Sequence, residues 1–165
     1  MESRFVDLSE TYRDEIMRIF NHYVENGTAA FPANPVPVQF FSMFLQKSAD
    51  YPAYVLLAPD TDQVLGFCML SPYIPFLTFA GTACVTFFLD PAYTGRGLGS
   101  QCMEKLEDEA KKMHITHLLA DISTENTGSI AFHKKHGFTV VGELQDIGEK
   151  LGRSFSITLM EKALS

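Results

Sequence analysis

Three glycines stand two apart, at Gly95, Gly97 and Gly99, between an apolar run that ends at Leu89 and an amphipathic segment that begins near Leu98. A glycine has no side chain to cover its backbone, and a helix about to start has first-turn N–H groups with no intrahelical acceptor. Those bare donors, at the positive end of the helix macrodipole, make an anion site. Residues 95–100 therefore read as a cradle for a diphosphate, and the identity of its ligand must come from the rest of the chain.

The elements around the cradle follow from periodicity. Val85, Phe87 and Leu89 alternate with Thr86 and Phe88, which predicts a strand over 82–89 ended by Asp90-Pro91. Leu98, Cys102, Leu106 and Met113 predict one apolar helix face, with Glu104, Lys105, Asp108, Lys111 and Lys112 largely elsewhere. Upstream, a strand is expected over 4–8, then a helix capped by Ser9 with Ile16, Ile19, Phe20 and Tyr23 on a stripe, closed by Gly27. Residues 31–37 hold three prolines and form a loop; helical character resumes over 38–48 with Phe40, Phe41, Phe44 and Leu45 on its apolar face. Strands over 53–58 and 64–70 form a hairpin. The stretch 71–80, SPYIPFLTFA, either lies down on the core or lines an apolar pocket or subunit contact. Downstream come a strand over 115–122, a helix over 126–136, and strands over 138–144 and 154–160 joined across Gly148 and Gly152.

The totals exclude several classes. The chain has 165 residues, 46% of them hydrophobic, and a formal charge of −7, which suits one globular domain and argues against nucleic acid or an anionic membrane as a partner. The polar N-terminus is no signal peptide and no run reaches the ~20 apolar residues of a membrane span. Cys68, Cys84 and Cys102 are odd in number and lack a CxxC, so reduced thiols in a cytoplasmic protein are expected. His114 and His117, like His133 and His136, are three apart, but no Cys, Asp or Glu arrangement accompanies them, and no metal is expected.

Three readings compete for the glycine turn. A Walker A loop requires a Lys that none of these glycines has after it. A dinucleotide fingerprint has Asp121 at about the right distance, ~20 residues on, but Cys102 holds the third glycine position and five residues separate Leu89 from Gly95. The third reading rests on Phe87-Phe-Leu89-Asp-Pro91-Ala-Tyr93-Thr94-Gly95-Arg96-Gly97-Leu98-Gly99, with Asn126-Thr-Gly-Ser129-Ile-Ala131-Phe132-His133-Lys-Lys-His136-Gly137-Phe138 downstream. This pair of motifs resembles the acyl-CoA site of the GNAT superfamily of N-acyltransferases, and residues 19–35 resemble the start of its phosphinothricin acetyltransferase branch.

The resemblance implies an α/β (α+β) GNAT fold over residues 1–165: a mixed, mostly antiparallel sheet of six or seven strands with about four helices. It implies acetyl-CoA as co-substrate, a small-molecule amine as acceptor, transfer through a ternary complex, and a homodimer. The pantetheine arm would pair with Phe87, Phe88 and Leu89, where a backbone N–H polarises the thioester carbonyl; such a donor is worth roughly 3–4 kcal/mol to the developing oxyanion. Gly95, Arg96, Gly97, Leu98, Gly99 and Ser100 would hold the pyrophosphate. Asn126 would contact the pantetheine arm or cap its helix, with Ser129 and Phe132 on the same channel.

Three positions depart from the family pattern. Thr94 stands where Arg or Gln usually begins the loop. Cys84 stands where the phosphinothricin branch carries a strand Glu that acts as general base. His133 replaces the Tyr that protonates the departing thiolate, and it is read either as an acid or base or as a surface residue beside Lys134 and Lys135. An amine must lose a proton to react, and Asp121, Glu125, Glu143, His133 or a water relay are the candidates to take it. No Lys or Arg lies between Lys47 and Arg96, and the branch's terminal Trp and Asp are missing, so a neutral, cationic or partly apolar acceptor is expected rather than an anionic amino acid. Two rival readings are a CoA-binding module without useful catalysis and a nucleotide-dependent oxidoreductase.

Overall fold

The computed structural model describes all 165 residues. Seven strands form one sheet in the order β1-β2-β3-β4-β5-β7-β6. They are β1 (Arg4–Asp7), β2 (Ala53–Leu57), β3 (Val64–Pro72), β4 (Thr82–Leu89), β5 (His117–Ser123), β6 (Thr139–Lys150) and β7 (Arg153–Ala163). Every pairing is antiparallel except β4 with β5. The four helices are α1 (Arg13–Glu25), α2 (Phe41–Lys47), α3 (Leu98–Lys112) and α4 (Thr127–Lys135). The expected mixed sheet and helix number are therefore both present.

Each face of the sheet has its own core, because β3 is buried on both sides and presents apolar residues to each. One core gathers Leu98, Cys102, Met103 and Leu106 of α3 against Cys68, Leu70 and Leu118. The other gathers Ile16, Phe20, Phe41 and Phe44 of α1 and α2 against Val55, Phe67 and Met69. Phe20 is the hub of the second core, meeting Phe40, Phe44 and Phe88 at ring separations of 5.7, 5.1 and 5.3 Å. An extra residue in β3, Leu65, breaks the alternation: Leu56 pairs with Gly66 while Leu57 pairs with Val64.

Several local expectations are corrected. Ser9 makes no side-chain cap, because a 3₁₀ turn, Glu10–Tyr12, intervenes before α1. The first turn of the expected 38–48 helix is likewise 3₁₀ (Val38–Phe40). Met113 is 41% exposed, since α3 ends at Lys112 and Ala110 supplies the last buried position of its stripe. Gly148 lies inside β6 rather than in a link: it pairs with Phe155, whose ring comes within 2.5 Å of where a Cβ would stand. The true link is Leu151-Gly152, both at positive φ (54° and 75°), as a tight hairpin turn with the strands' own twist requires. Of the 71–80 stretch, Ser71 and Pro72 extend β3 and line a cavity, while the rest does not lie on the core; Phe76 is 69% and Leu77 94% exposed.

Candidate active site

The central feature is a gap. β4 pairs with β5 only at Thr82, Ala83 and Cys84, opposite His117, Leu118 and Leu119, while β5 goes on to pair with β7 through Ser123. β4 continues to Leu89 along β3. The Asp90 N–H donates to Leu65 O at 2.8 Å, so by the two-residue period of a strand the backbone of Phe88 faces β3 and that of Phe87 and Leu89 faces the gap. Of the three residues expected at a thioester, Phe88 thus spends its backbone on Phe67 and packs its ring with Phe20, Tyr23 and Phe67. The Leu89 carbonyl accepts from Tyr23 Oη at 2.6 Å, a contact that the sequence stripe of α1 marked only as core.

The glycine turn closes one end of the gap. Asp90 Oδ1 accepts from Ala92 N at 2.9 Å and Arg18 holds the other carboxylate oxygen at 2.7 Å. The guanidinium and the amide hold the Asp90 carboxyl below its usual range even though burial pushes the other way. This fixes the turn Pro91–Tyr93 that aims the loop. Gly95 and Gly97 adopt φ of +74° and +84°, which a side chain resists, although a Cβ at either would meet nothing within 4 Å. Gly97 is the N-cap of α3, and no backbone N–H from Gly95 to Ser100 finds a backbone acceptor. Gly99 has a different reason: a Cβ there would come 3.2 Å from the Phe132 ring, so its absence lets α3 close on α4. Arg96 lies over the Tyr93 ring at 5.3 Å, and the Thr94 hydroxyl donates back to Pro91 O at 3.2 Å rather than into the loop. Ser100 Oγ and His136 Nε2 are 3.0 Å apart.

α4 forms the opposite wall. Asn126 Oδ1 caps it by accepting from Ser129 N at 3.2 Å, while its Nδ2 has no protein partner. His133 is no surface residue: it is 4% exposed and packed among Phe87, Phe132 and Phe138. Its Nδ1 lies 2.7 Å from Ser129 O, and because a carbonyl can only accept, Nδ1 carries the proton. Burial pushes its pKa down, against that carbonyl bond, so the ring is neutral at pH 7.

A cavity of about 1290 Å³ runs from the glycine turn past Phe87, Phe132 and His133 and through the gap to the α1–α2 face. That far end is walled by Tyr23, Phe31, Phe40, Met43 and Phe44. Cys84 and Asp121 meet there, on the face opposite Ala120 and Ile122, which belong to the α3 core. Burial, with Asp121 beside it, pushes the Cys84 thiol up to about 11, so it is protonated at neutral pH. Asp121 has no hydrogen-bond partner in the protein, and desolvation by the cavity walls raises its carboxyl above the usual range. Lys47, at the end of α2, also lines this end and opposes the rise at Cys84. The cation-poor span of sequence thus borrows a cation from an earlier helix. Of the other proton acceptors considered, Glu125 is held by two bonds from Arg153, at 2.9 and 2.7 Å, and its carboxyl is lowered. Glu143 accepts from Thr124 and Gln145 on β6 and does not line the cavity.

The residues present fit acetyl-CoA: an exposed strand edge for an extended amide arm, unpartnered N–H groups at a helix start for a diphosphate, and an aromatic chamber beyond. Comparison with known proteins agrees. The sequence profile of the Acetyltransferase (GNAT) family matches residues 15–138. An L-methionine sulfoximine/L-methionine sulfone acetyltransferase of Pseudomonas aeruginosa is 29% identical over 147 residues, covering 88% of this chain and 86% of that protein. A phosphinothricin N-acetyltransferase of Streptomyces coelicolor is 28% identical over 149 residues, covering 88% and 87%. The solved structure of yncA from Salmonella typhimurium with its cofactor acetyl-CoA superposes with a TM-score of 0.89 at 25% identity, covering 100% of this chain and 95% of that one. The chain belongs to the acetyltransferase (GNAT) family and is an acetyl-CoA-dependent N-acetyltransferase.

Proposed function

We propose that this chain works as one domain that acetylates a small primary amine with a neutral, mostly apolar body, by direct attack within a ternary complex. The observation that carries the reading is the single cavity that joins the open edge of β4 to an aromatic chamber holding Asp121. Acetyl-CoA supplies an activated thioester carbonyl. The Phe87 or Leu89 N–H, facing the gap, is placed to donate to that oxygen as negative charge develops. The N–H groups from Gly95 to Ser100 take the diphosphate, and Asn126 Nδ2 meets the pantetheine arm.

Asp121 takes the proton of the attacking amine. Its raised pKa suits a base near neutral pH better than the lowered Glu125 carboxyl does. In the phosphinothricin branch the resemblance puts this carboxylate at the position of Cys84; here the neighbouring strand carries one instead. His133 holds its proton on Nδ1, bonded to Ser129 O, and so has none on Nε2 to give to a departing thiolate. A neutral imidazole there serves to pack the arm's channel between Phe87 and Phe132.

The chamber supports an acceptor with an apolar body, and Lys47 offers one cation to an acceptor carboxylate. The relatives that act on methionine sulfone and on phosphinothricin bracket the choice. A panel of L-methionine sulfone, L-phenylalanine, phenethylamine and phosphinothricin, scored by acetylated product in mass spectrometry, tests it. Neutral-bodied amines are expected to give the higher kcat/KM. Phosphinothricin as the best acceptor would overturn the acceptor class, and no turnover with any amine would favour the CoA-binding module.

A homodimer is part of the same reading, because the exposed Tyr73, Phe76, Leu77 and Phe79 form an apolar surface on a loop that the core leaves bare. Sedimentation is expected to give twice the chain mass, with Leu77→Lys shifting it toward the monomer; a wild-type monomer at tens of micromolar would sink this part. No helix of the chain is long and apolar enough to cross a membrane.

A further inference from the structure

Lys150 is a buried ammonium that the reaction does not use. It is 4% exposed, it forms no ion pair with a carboxylate, and its one hydrogen bond runs from Nζ to Ala30 O at 2.7 Å. A desolvated charge with a single neutral acceptor is expensive, and an apolar residue of the same length would fill the volume without that cost. Its position therefore calls for an explanation in what it holds.

What it holds is the loop between α1 and α2. Ala29, Ala30, Phe31 and Pro32 of that loop wall the chamber end of the cavity. Two more ties reach the same loop from nearby. The Phe31 ring stacks on Phe155 at 6.2 Å. Thr28 Oγ1 lies 2.6 Å from Ser123 Oγ and donates to Glu125 at 3.0 Å, and Glu125 is itself clasped by Arg153. Lys150, Arg153 and Phe155 all come from the β6–β7 hairpin, at the opposite edge of the sheet from β1 and β2.

We propose that Lys150 is a positioning residue for the acceptor: by fastening Ala30 O to the hairpin it sets the shape of the chamber wall into which the amine binds. This rests on the reading of the chamber as the acceptor site. Neither Lys150 nor its partner touches Gly95 to Ser100 or the gap-facing backbone of β4, so the cofactor end is left alone.

The test is Lys150→Met, which keeps the length and apolar stem and removes the charge and the donor. The KM for L-methionine sulfone, or for whichever panel amine turns over faster, is expected to rise about tenfold, as loss of one charge-assisted hydrogen bond allows. The KM for acetyl-CoA is expected to stay within about twofold, and Tm to move little, because removing the buried charge offsets the loss of the bond to Ala30 O. If Lys150→Met does not fold, Thr28→Val and Phe155→Leu loosen the same loop from its other ties and are expected to show the same split between the two KM values. An unchanged acceptor KM, or equal rises in both KM values, would overturn the proposal. Absence of wild-type turnover with every amine would remove the acceptor reading beneath it, and is told apart because it is seen before any variant is made.

Discussion

Asp121→Asn is expected to lower kcat by roughly 10²–10⁴-fold, the range that a positioned general base contributes. Acetyl-CoA binding should be unchanged, because the diphosphate cradle and the gap-facing backbone lie on other segments. The pH profile distinguishes the role. Only the ionised carboxylate can take the proton, and desolvation has moved its pKa upward. The wild-type rate should therefore climb as pH rises through that raised value, above the ordinary carboxylate range, and the variant should lose this limb. Stability runs the other way. A carboxyl whose folded pKa is raised favours the folded state at low pH and loses that contribution as pH rises through the folded value. Asp121 keeps water on one side, so this contribution is small and Tm of the variant should stay close to wild type. A fall in kcat at unchanged Tm is the pattern of a residue kept for function. Cys84→Ala is the companion measurement. With its thiol protonated at neutral pH, kcat should change by no more than a small packing effect. A loss at Cys84 as deep as that at Asp121 would reverse the assignment.

Gly97→Ala should raise the KM for acetyl-CoA about 5- to 30-fold, judged from the ~1–2 kcal/mol that a side chain costs in left-handed backbone. The new methyl has open space around it, so crowding is not the cause. At φ +84° the added Cβ opposes the conformation that turns the chain into α3. Relaxing that strain would swing the N–H groups of Leu98, Gly99 and Ser100 away from a common focus, and the anion site depends on their convergence. The KM for the acceptor should hold, since the chamber is walled by α1, α2 and the loop between them. Gly99→Ala is the contrast. Its φ lies outside the left-handed region, and its cost comes from the Phe132 ring at 3.2 Å, so it should depress Tm as well as cofactor affinity. Titration calorimetry with acetyl-CoA reads both variants without an acceptor. If Gly97→Ala bound acetyl-CoA as tightly as wild type, the diphosphate would not sit on this turn.

Much of this was legible along the chain. The strand to Leu89, the glycine turn, α3, and the α4 cap at Asn126 are each specified by neighbours within a few residues: alternation, a helix start, a side chain that reaches the N–H three positions on. The residues proposed to hold the cofactor sit on these local pieces, and so the motif spacing was enough to point to them. The chamber is different. Tyr23, Lys47, Phe31 and Asp121 are contributed by four separate segments, and they become neighbours only when β4 and β5 part after three paired residues. Tyr23 looked like core because its stripe position is the same whether it faces a core or a cavity beside it. His133 carried the pattern of a solvated residue between Phe132 and two lysines, and only the packing of α4 on Phe87 and Phe138 buries it. Lys150 matched only the Lys of the branch's terminal segment, and neither its burial nor its partner was legible, since the carbonyl it serves is far away in sequence, at Ala30. The amino-acid sequence by itself determined most of the sheet's strands, the glycine turn and the family, because backbone conformation and helix-end donors are set by adjacent residues. Which groups line the chamber proposed for the acceptor was decided only by tertiary structure, because a charge or a ring acquires its role from the solvent it loses and the partners it meets, and both come from distant parts of the chain.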